Sequence, residues 1–174
     1  NNPSEATYHL CGTALPDAYG GFGTNFTWKG FDLSVDFSYQ LGGKVFDTSY
    51  QEGMGNTPGE KFHADILKAW TETNTNTNVP RLEFYDRYSN ATSDRWLTSA
   101  SYLTFQNFTV GYTLPKRLLS TMSLQKVRFY IVGDNIWTWS KRRGLDPRQS
   151  LSGVNNGSYY SPIRTISGGI TVTF

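Results

Sequence analysis

At 174 residues with a formal charge of +2, the chain has the size of one ordinary domain and lacks the basic field that grips nucleic acid. Its single cysteine, Cys11, excludes an internal disulfide and a multi-thiolate metal centre, and no run of about 18 apolar residues exists to form a transmembrane helix. Hydrophobic residues make up only 37%, yet aromatics reach 16%, a balance that suits interfaces, sugar stacking or membrane girdles better than a plain aliphatic core.

The chain opens NNPSEATY, which reads as the interior of a loop without a leader, so a piece of a longer protein is expected. Residues 1–20, with Pro3, Gly12, Pro16, Asp17 and Gly20, read as loop. A first strand over about 22–29 places Phe22, Thr24, Phe26 and Trp28 on one face, and the very short link at Lys29 and Gly30 makes a β-hairpin with the next strand, about 31–42. That strand, FDLSVDFSYQL, alternates strictly. Phe31, Leu33, Val35, Phe37, Tyr39 and Leu41 share one face; Asp32, Ser34, Asp36, Ser38 and Gln40 share the other. A soluble sandwich would turn the polar face out, and a membrane barrel would turn the apolar face to lipid.

A loop of more than fifty residues, about 45–98, follows. Within it Phe62, Ile66 and Trp70, with Leu67 beside them, predict an amphipathic helix over Gly59 to Thr71, and TETNTNTN from Thr71 reads as a mobile polar tip. A third strand is expected over about 99–114, where the apolar parity changes between Phe105 and Phe108 and so predicts a β-bulge near Gln106 and Asn107. A fourth, about 124–139, carries Val127, Phe129, Ile131, Trp137 and Trp139 on one face, interrupted by Asn135, where a second bulge or a contact with another element is expected. A loop over 140–162 leads to the final strand, about 164–174. The connections thus alternate short and long, which in an up-and-down sheet sorts them to opposite ends, as in outer-membrane barrels with short periplasmic turns. The strands are also long enough to cross a bilayer at a tilt.

Catalytic and metal chemistry find little support. His9, His63 and Cys11 lie in loops without ligand spacing, and Asp32 and Asp36 are too far apart along a strand for paired carboxylate work. The Gly20, Gly21 and Gly23 cluster precedes no helix that could cradle phosphate. No catalytic residue, cofactor or metal is expected.

Several stretches carry a resemblance. PDAYGGFGTNFTWKGFDLSVDFSYQLGGKVFD from Pro16, SDRWLTSASYLTFQNFTVGYTLPK from Ser93, DNIWTWS from Asp134 with GLDPR after it, and the closing RTISGGITVTF together resemble, in order, the C-terminal part of SusC/RagA-type TonB-dependent transporters of Bacteroidota. The chain departs from that pattern at Thr98, Ser99 and Ala100, and at Arg148 after Asp146 and Pro147. The resemblance implies an all-β fold, the last five strands of an antiparallel transmembrane barrel of about 22 strands, with the plug domain absent from this chain. It further implies a multi-pass protein of the cell outer membrane that imports oligosaccharides or peptides. Its partners would be the rest of the barrel and plug, a SusD-like surface lipoprotein, outer-membrane lipid and TonB.

On that reading Trp28, Tyr39, Tyr112, Trp137, Trp139 and Phe174, near strand ends, are expected to form girdles at the membrane interfaces. The loop aromatics Trp70, Trp96, Tyr159 and Tyr160 are the candidates for stacking on a ligand. The rival expectation is a secreted, soluble carbohydrate-binding β-sandwich.

Overall fold

The computed structural model describes residues 5–86, 88–120, 124–149, 152–155 and 161–174. Five long strands form one antiparallel sheet: β1 (Ala18–Trp28), β2 (Phe31–Leu41), β5 (Tyr102–Thr113), β6 (Lys126–Ser140) and β8 (Thr165–Thr173), in the spatial order β1-β2-β5-β6-β8. Each long strand pairs with the next long strand of the sequence, so the sheet is a simple meander. Three short strands, β3 (Lys44–Asp47), β4 (Leu97–Ser99) and β7 (Val154–Asn155), build a second sheet within the long connections, with β3 in the middle.

Alternation explains why these segments pair. Trp28, Phe31, Tyr112, Phe129 and Ile170 line up across all five strands, and the next row is Phe26, Leu33, Val110, Ile131 and Gly168. The neighbouring rows on the other face read Thr27, Asp32, Gly111, Tyr130, Gly169 and Asn25, Ser34, Thr109, Val132, Ser167. Aromatic contacts run along the apolar face, with Phe22 stacked on Phe37 at 5.0 Å, Phe37 on Phe105 at 5.0 Å, and Phe31 beside Tyr112 at 4.4 Å. Cross-strand pairs of this kind stabilise a sheet by about 0.2–1 kcal/mol each.

The bulge near Gln106 and Asn107 is present: Phe37 faces Phe105 and Asp36 faces Asn107, leaving Gln106 as the extra residue. On the other side of β5, Asn135 and Ile136 oppose that same position, and Asn135 adopts φ +50 with its amide donating to the Ile163 carbonyl. The shift returns Leu103 and Phe105 to the face that Phe108, Val110 and Tyr112 occupy, so the apolar side stays continuous.

Some boundaries differ from the sequence reading. The first strand starts at Ala18, because Ala18–Phe22 pair in register with Phe37–Leu41 despite two glycines that read as a turn. Ser99, expected to open the third long strand, instead ends the short strand β4, since Leu97, Thr98 and Ser99 pair with β3, and the long strand begins at Tyr102. The amphipathic helix over 59–71 is not formed. Only a 3-10 turn at Ala64–Lys68 appears, capped by His63 Nδ1 accepting from the Asp65 amide; Ile66 packs inward while Leu67 faces solvent. The α-helix that does form in this connection is α1 (Thr48–Gly53), capped by Asp47 Oδ1 accepting from the Tyr50 amide at 3.0 Å. The 71–78 tip closes on itself: Thr77 Oγ1 donates to the Lys68 carbonyl and Thr71 bridges Asn74.

Both hydrophobic clusters of the described residues lie in the long connections. One gathers Met54, Ala69, Val79 and Trp96 with Phe46, Tyr50 and Ile66 against it; the other gathers Val45, Ala100 and Leu145. The loops at this end are therefore a packed layer with its own core.

Two tests follow from this packing. Gly111 lies between Asp32 and Arg128, which bond across it, and a Cβ there would sit 2.5 Å from both Arg128 Nη2 and Asp32 Oδ1. Gly111→Val in the intact protein is expected to break that pair and cost about 1–3 kcal/mol. Gly168→Ala, where a Cβ meets nothing nearer than 3.6 Å, is the control. Equal thermal midpoints in detergent for the two variants would contradict the assignment. Trp96→Ala is expected to cost about 3–5 kcal/mol locally. Amide exchange should then quicken at 48–54 and 64–69 and stay unchanged in β2, β5 and β6.

Candidate functional site

The packed loop layer carries a concentration of paired charge. β3 ends at Asp47, which is almost wholly buried and accepts from Arg142 Nη1 at 3.0 Å. Arg142 belongs to the loop after β6, and its guanidinium lies 4.0 Å over the Tyr50 ring, so one α1 side chain and one β3 side chain hold it from two directions. Tyr50 in turn packs edge-on to His63 at 4.8 Å and to Trp96 at 5.9 Å.

The Tyr50 hydroxyl donates to Asp65 at 3.1 Å, and burial, followed by that carboxylate, pushes the phenol above its usual range. Lys68, bonded to Asp65 at 2.6 Å, holds the carboxyl below its usual range against a smaller opposing effect of burial. The phenol therefore remains a donor and the carboxylate an acceptor at neutral pH. Asp146, also buried, receives both Nε and Nη2 of Arg148 at 2.8 and 2.6 Å, a bidentate fork that raises the guanidinium further. The sequence departure at Arg148 is thus matched by a local partner.

Between these groups lies a cleft of about 230 Å³ lined by Asp47, Tyr50, His63, Arg142, Asp146 and Asn155. Asn155 Oδ1 is buried there without a partner among the described residues, while its backbone carbonyl accepts from Thr48 Oγ1. The polar, oxygen-rich lining can hold a hydrogen-bonding group.

The stacking candidates separate. Trp96 is 0% exposed, and its indole N–H donates to the Ala91 carbonyl at 2.9 Å, so it is a core residue and cannot stack on a ligand. Trp70 remains 37% exposed beside the 71–78 turn. Tyr159 and Tyr160 lie outside the described residues.

The six girdle candidates fall at the two ends of the long sheet. Trp28 and Tyr112 sit in the row nearest the short turns, with Phe174 following β8 at the same end. Tyr39, Trp137 and Trp139 sit near the long connections, the two indoles stacked at 6.2 Å and exposed by 62% and 65%. Asp47, Tyr50, Arg142 and Asn155 carried no motif. The one local signal was Asp47 as an N-cap before TSYQEG.

No family model matches the chain. It is 31% identical over 98% of its length to TonB-dependent receptor P3 of Formosa agariphila, and 25% identical over 95% to TonB-dependent receptor P26 of the same organism. The chain spans 18% of the length of each of these relatives. Among solved structures it superposes on the RagAB peptide importer in its closed-closed state with a TM-score of 0.75 and 27% identity, covering 95% of this chain and 18% of that one. A structure of the RagAB peptide transporter gives 0.76 and 25%, again over 95% of this chain and 18% of that one. These relatives are receptors and transporters, not enzymes. With a matching antiparallel sheet and similarity along nearly its whole length, the chain belongs, as a partial segment, to the SusC/RagA-like TonB-dependent receptors.

Proposed function

We propose that this chain supplies a stretch of wall and part of the outer loop layer of an outer-membrane importer energised through TonB. The observation that carries this reading is the apolar face of the five-stranded sheet. Phe26 is 58% exposed, Ile131 51%, and Phe22, Trp28, Phe31, Phe129, Ile166 and Ile170 are likewise exposed on that side, with no described residue packed over it. A contiguous apolar surface of that extent needs a nonaqueous neighbour. A soluble sandwich would need a second sheet across it, and the short sheet of β3, β4 and β7 lies instead with the long connections.

The dimensions agree with lipid as that neighbour. Phe31 and Tyr39 lie eight residues apart on β2, about 27 Å at the usual rise per residue. At a tilt of about 40° that is roughly 20 Å of height, which with the flanking rings approaches the roughly 25 Å apolar band of barrel proteins. On this proposal Trp28, Tyr112 and Phe174 form the girdle at the short-turn rim, and Tyr39, Trp137 and Trp139 the girdle at the rim carrying the long loops. The polar face, with the Asp32–Arg128 pair and the Thr104–Thr138 hydroxyl contact, lines a wet interior.

The five strands would be the last of a barrel of about 22, with a plug contributed by the rest of the receptor. The open edges at β1 and β8 support a larger sheet, because unpaired backbone groups are not tolerated in lipid. The cargo would be an oligosaccharide or a peptide, delivered with a SusD-like lipoprotein over the loop layer; the likeness to the RagAB peptide importer supports a peptide.

The test is residue-level exposure in the intact receptor reconstituted in liposomes. Single cysteines bearing an environment-sensitive dye at Ile131 and Phe129 should be quenched by brominated lipid. Dyes at Ser34 and Thr109 should be quenched by aqueous iodide instead. The opposite assignment would defeat the proposal. Ile131→Arg should also destabilise the folded barrel by about 2–4 kcal/mol, against little change for Thr109→Arg, read from thermal midpoints in detergent.

A further inference from the structure

Cys11 and His9 are two residues apart in the segment preceding β1, which in extended chain puts both side chains on one side. The fold then brings a third group to them from more than eighty residues away. Asp94 opens the 3-10 turn Asp94–Trp96, and its Oδ2 lies 3.7 Å from His9 Nε2, while Cys11 Sγ lies 3.5 Å from that same nitrogen. All three donor atoms fall within 4.8 Å of one another.

Both arms of this cluster are anchored. Lys44 of β3 donates its backbone amide to the Thr13 carbonyl at 2.9 Å and its ammonium to the Cys11 carbonyl, so Cys11 is tied to the short sheet. Asp94 precedes Trp96, the wholly buried ring at the centre of the loop core, and is fixed by that ring's burial. His9 and Asp94 are exposed and Cys11 is half-buried, so an ion can reach the cluster and keep a solvent ligand.

The spacing matches a tetrahedral centre. Zinc–nitrogen and zinc–oxygen bonds of about 2.0–2.1 Å and a zinc–sulfur bond of about 2.3 Å place neighbouring ligand atoms about 3.3–3.7 Å apart. The His9–Cys11 and His9–Asp94 edges already have that length, and the Cys11–Asp94 edge, within 4.8 Å, needs to close by at most about 1 Å. One thiolate, one carboxylate and one neutral imidazole also cancel the charge of a divalent ion, and a mixed S, N, O set favours a borderline-soft metal over calcium or magnesium. The plain alternative is an exposed His–Asp contact of little worth with a thiol beside it by chance.

We propose that His9, Cys11 and Asp94 form a three-ligand site for a divalent transition-metal ion, Zn²⁺ foremost, with water in the fourth position, fastening the segment before β1 to the loop layer. The test uses the intact receptor in detergent, stripped with chelator and titrated with Co²⁺. One equivalent should produce a near-ultraviolet thiolate-to-cobalt charge-transfer band that Zn²⁺ abolishes. The band should be absent in Cys11→Ser, and cobalt affinity should fall by more than about tenfold in His9→Ala and in Asp94→Asn. No band in the folded wild type would overturn the site, as would a band of undiminished affinity in His9→Ala and Asp94→Asn. If a variant fails to give the heat-resistant folded form, maleimide labelling of Cys11 in the wild type decides: Zn²⁺ should slow it, and an unchanged rate refutes the proposal.

Discussion

The two-residue period of an extended chain is the constraint on which this molecule rests. Every second side chain of β2 is apolar, and the cross-strand register carries that face through β1, β5, β6 and β8, with Thr24 opposite Val35 as a small polar member in β1. A slip of one residue would send Asp32 and Asp36 into the apolar face and Leu33 and Phe37 into the polar one. The bulge at Gln106 is therefore a correction that preserves the face, placed where the sequence of β5 changes parity, and β6 answers it with two extra residues, Asn135 and Ile136, so that Phe129, Ile131, Trp137 and Trp139 keep one parity and one face. The tight link between β1 and β2 serves the same end. Lys29 and Gly30 both take positive φ, the geometry that keeps hairpin strands in register, and the Gly30 carbonyl then receives the Thr113 amide of β5.

That period is also why the long strands were legible from residues alone while the loop layer was not. Alternation is local, so Phe31 to Leu41 announces a strand without knowledge of its neighbours. The shifted parity between Phe105 and Phe108 announces the bulge in the same way. The pairing of β3 with β7 joins Phe46 to Val154 and Asp47 to Asn155 across more than a hundred residues, and segments of four and two residues carry no periodic signal. Trp96 shows the same limit. A tryptophan in a polar loop suits ligand stacking until Met54, Ala69 and Val79 are seen to enclose it. The expected helix over 59–71 failed because spacing at i, i+4 and i+8 is only a pattern; a capping His63 and one inward Ile66 sustain a single 3-10 turn. His9, Cys11 and Asp94 are likewise a tertiary coincidence that spacing could not disclose.

Charge is distributed differently in the two parts. On the sheet, Asp32 and Arg128 neutralise each other over a glycine, on the face away from the apolar rows. In the loop layer, Asp47 with Arg142 and Asp146 with Arg148 are buried pairs whose desolvation is offset only by close geometry and further hydrogen bonds. Such pairs add little net stability, but they penalise any arrangement in which one partner is left alone, and so favour one conformation of the loops.

The central position of β3 has a consequence for anyone wishing to decorate this surface. Because β3 is hydrogen-bonded to the connection before β5 on one side and to the connection after β6 on the other, a foreign peptide spliced at Val45 or Val154 would pry apart segments that are distant in the chain. The small turn at 71–78 is closed mainly by bonds to its own stem at Lys68 and Ala69. An affinity tag or epitope belongs there, where it would ride on the outside and leave the framework beneath it undisturbed.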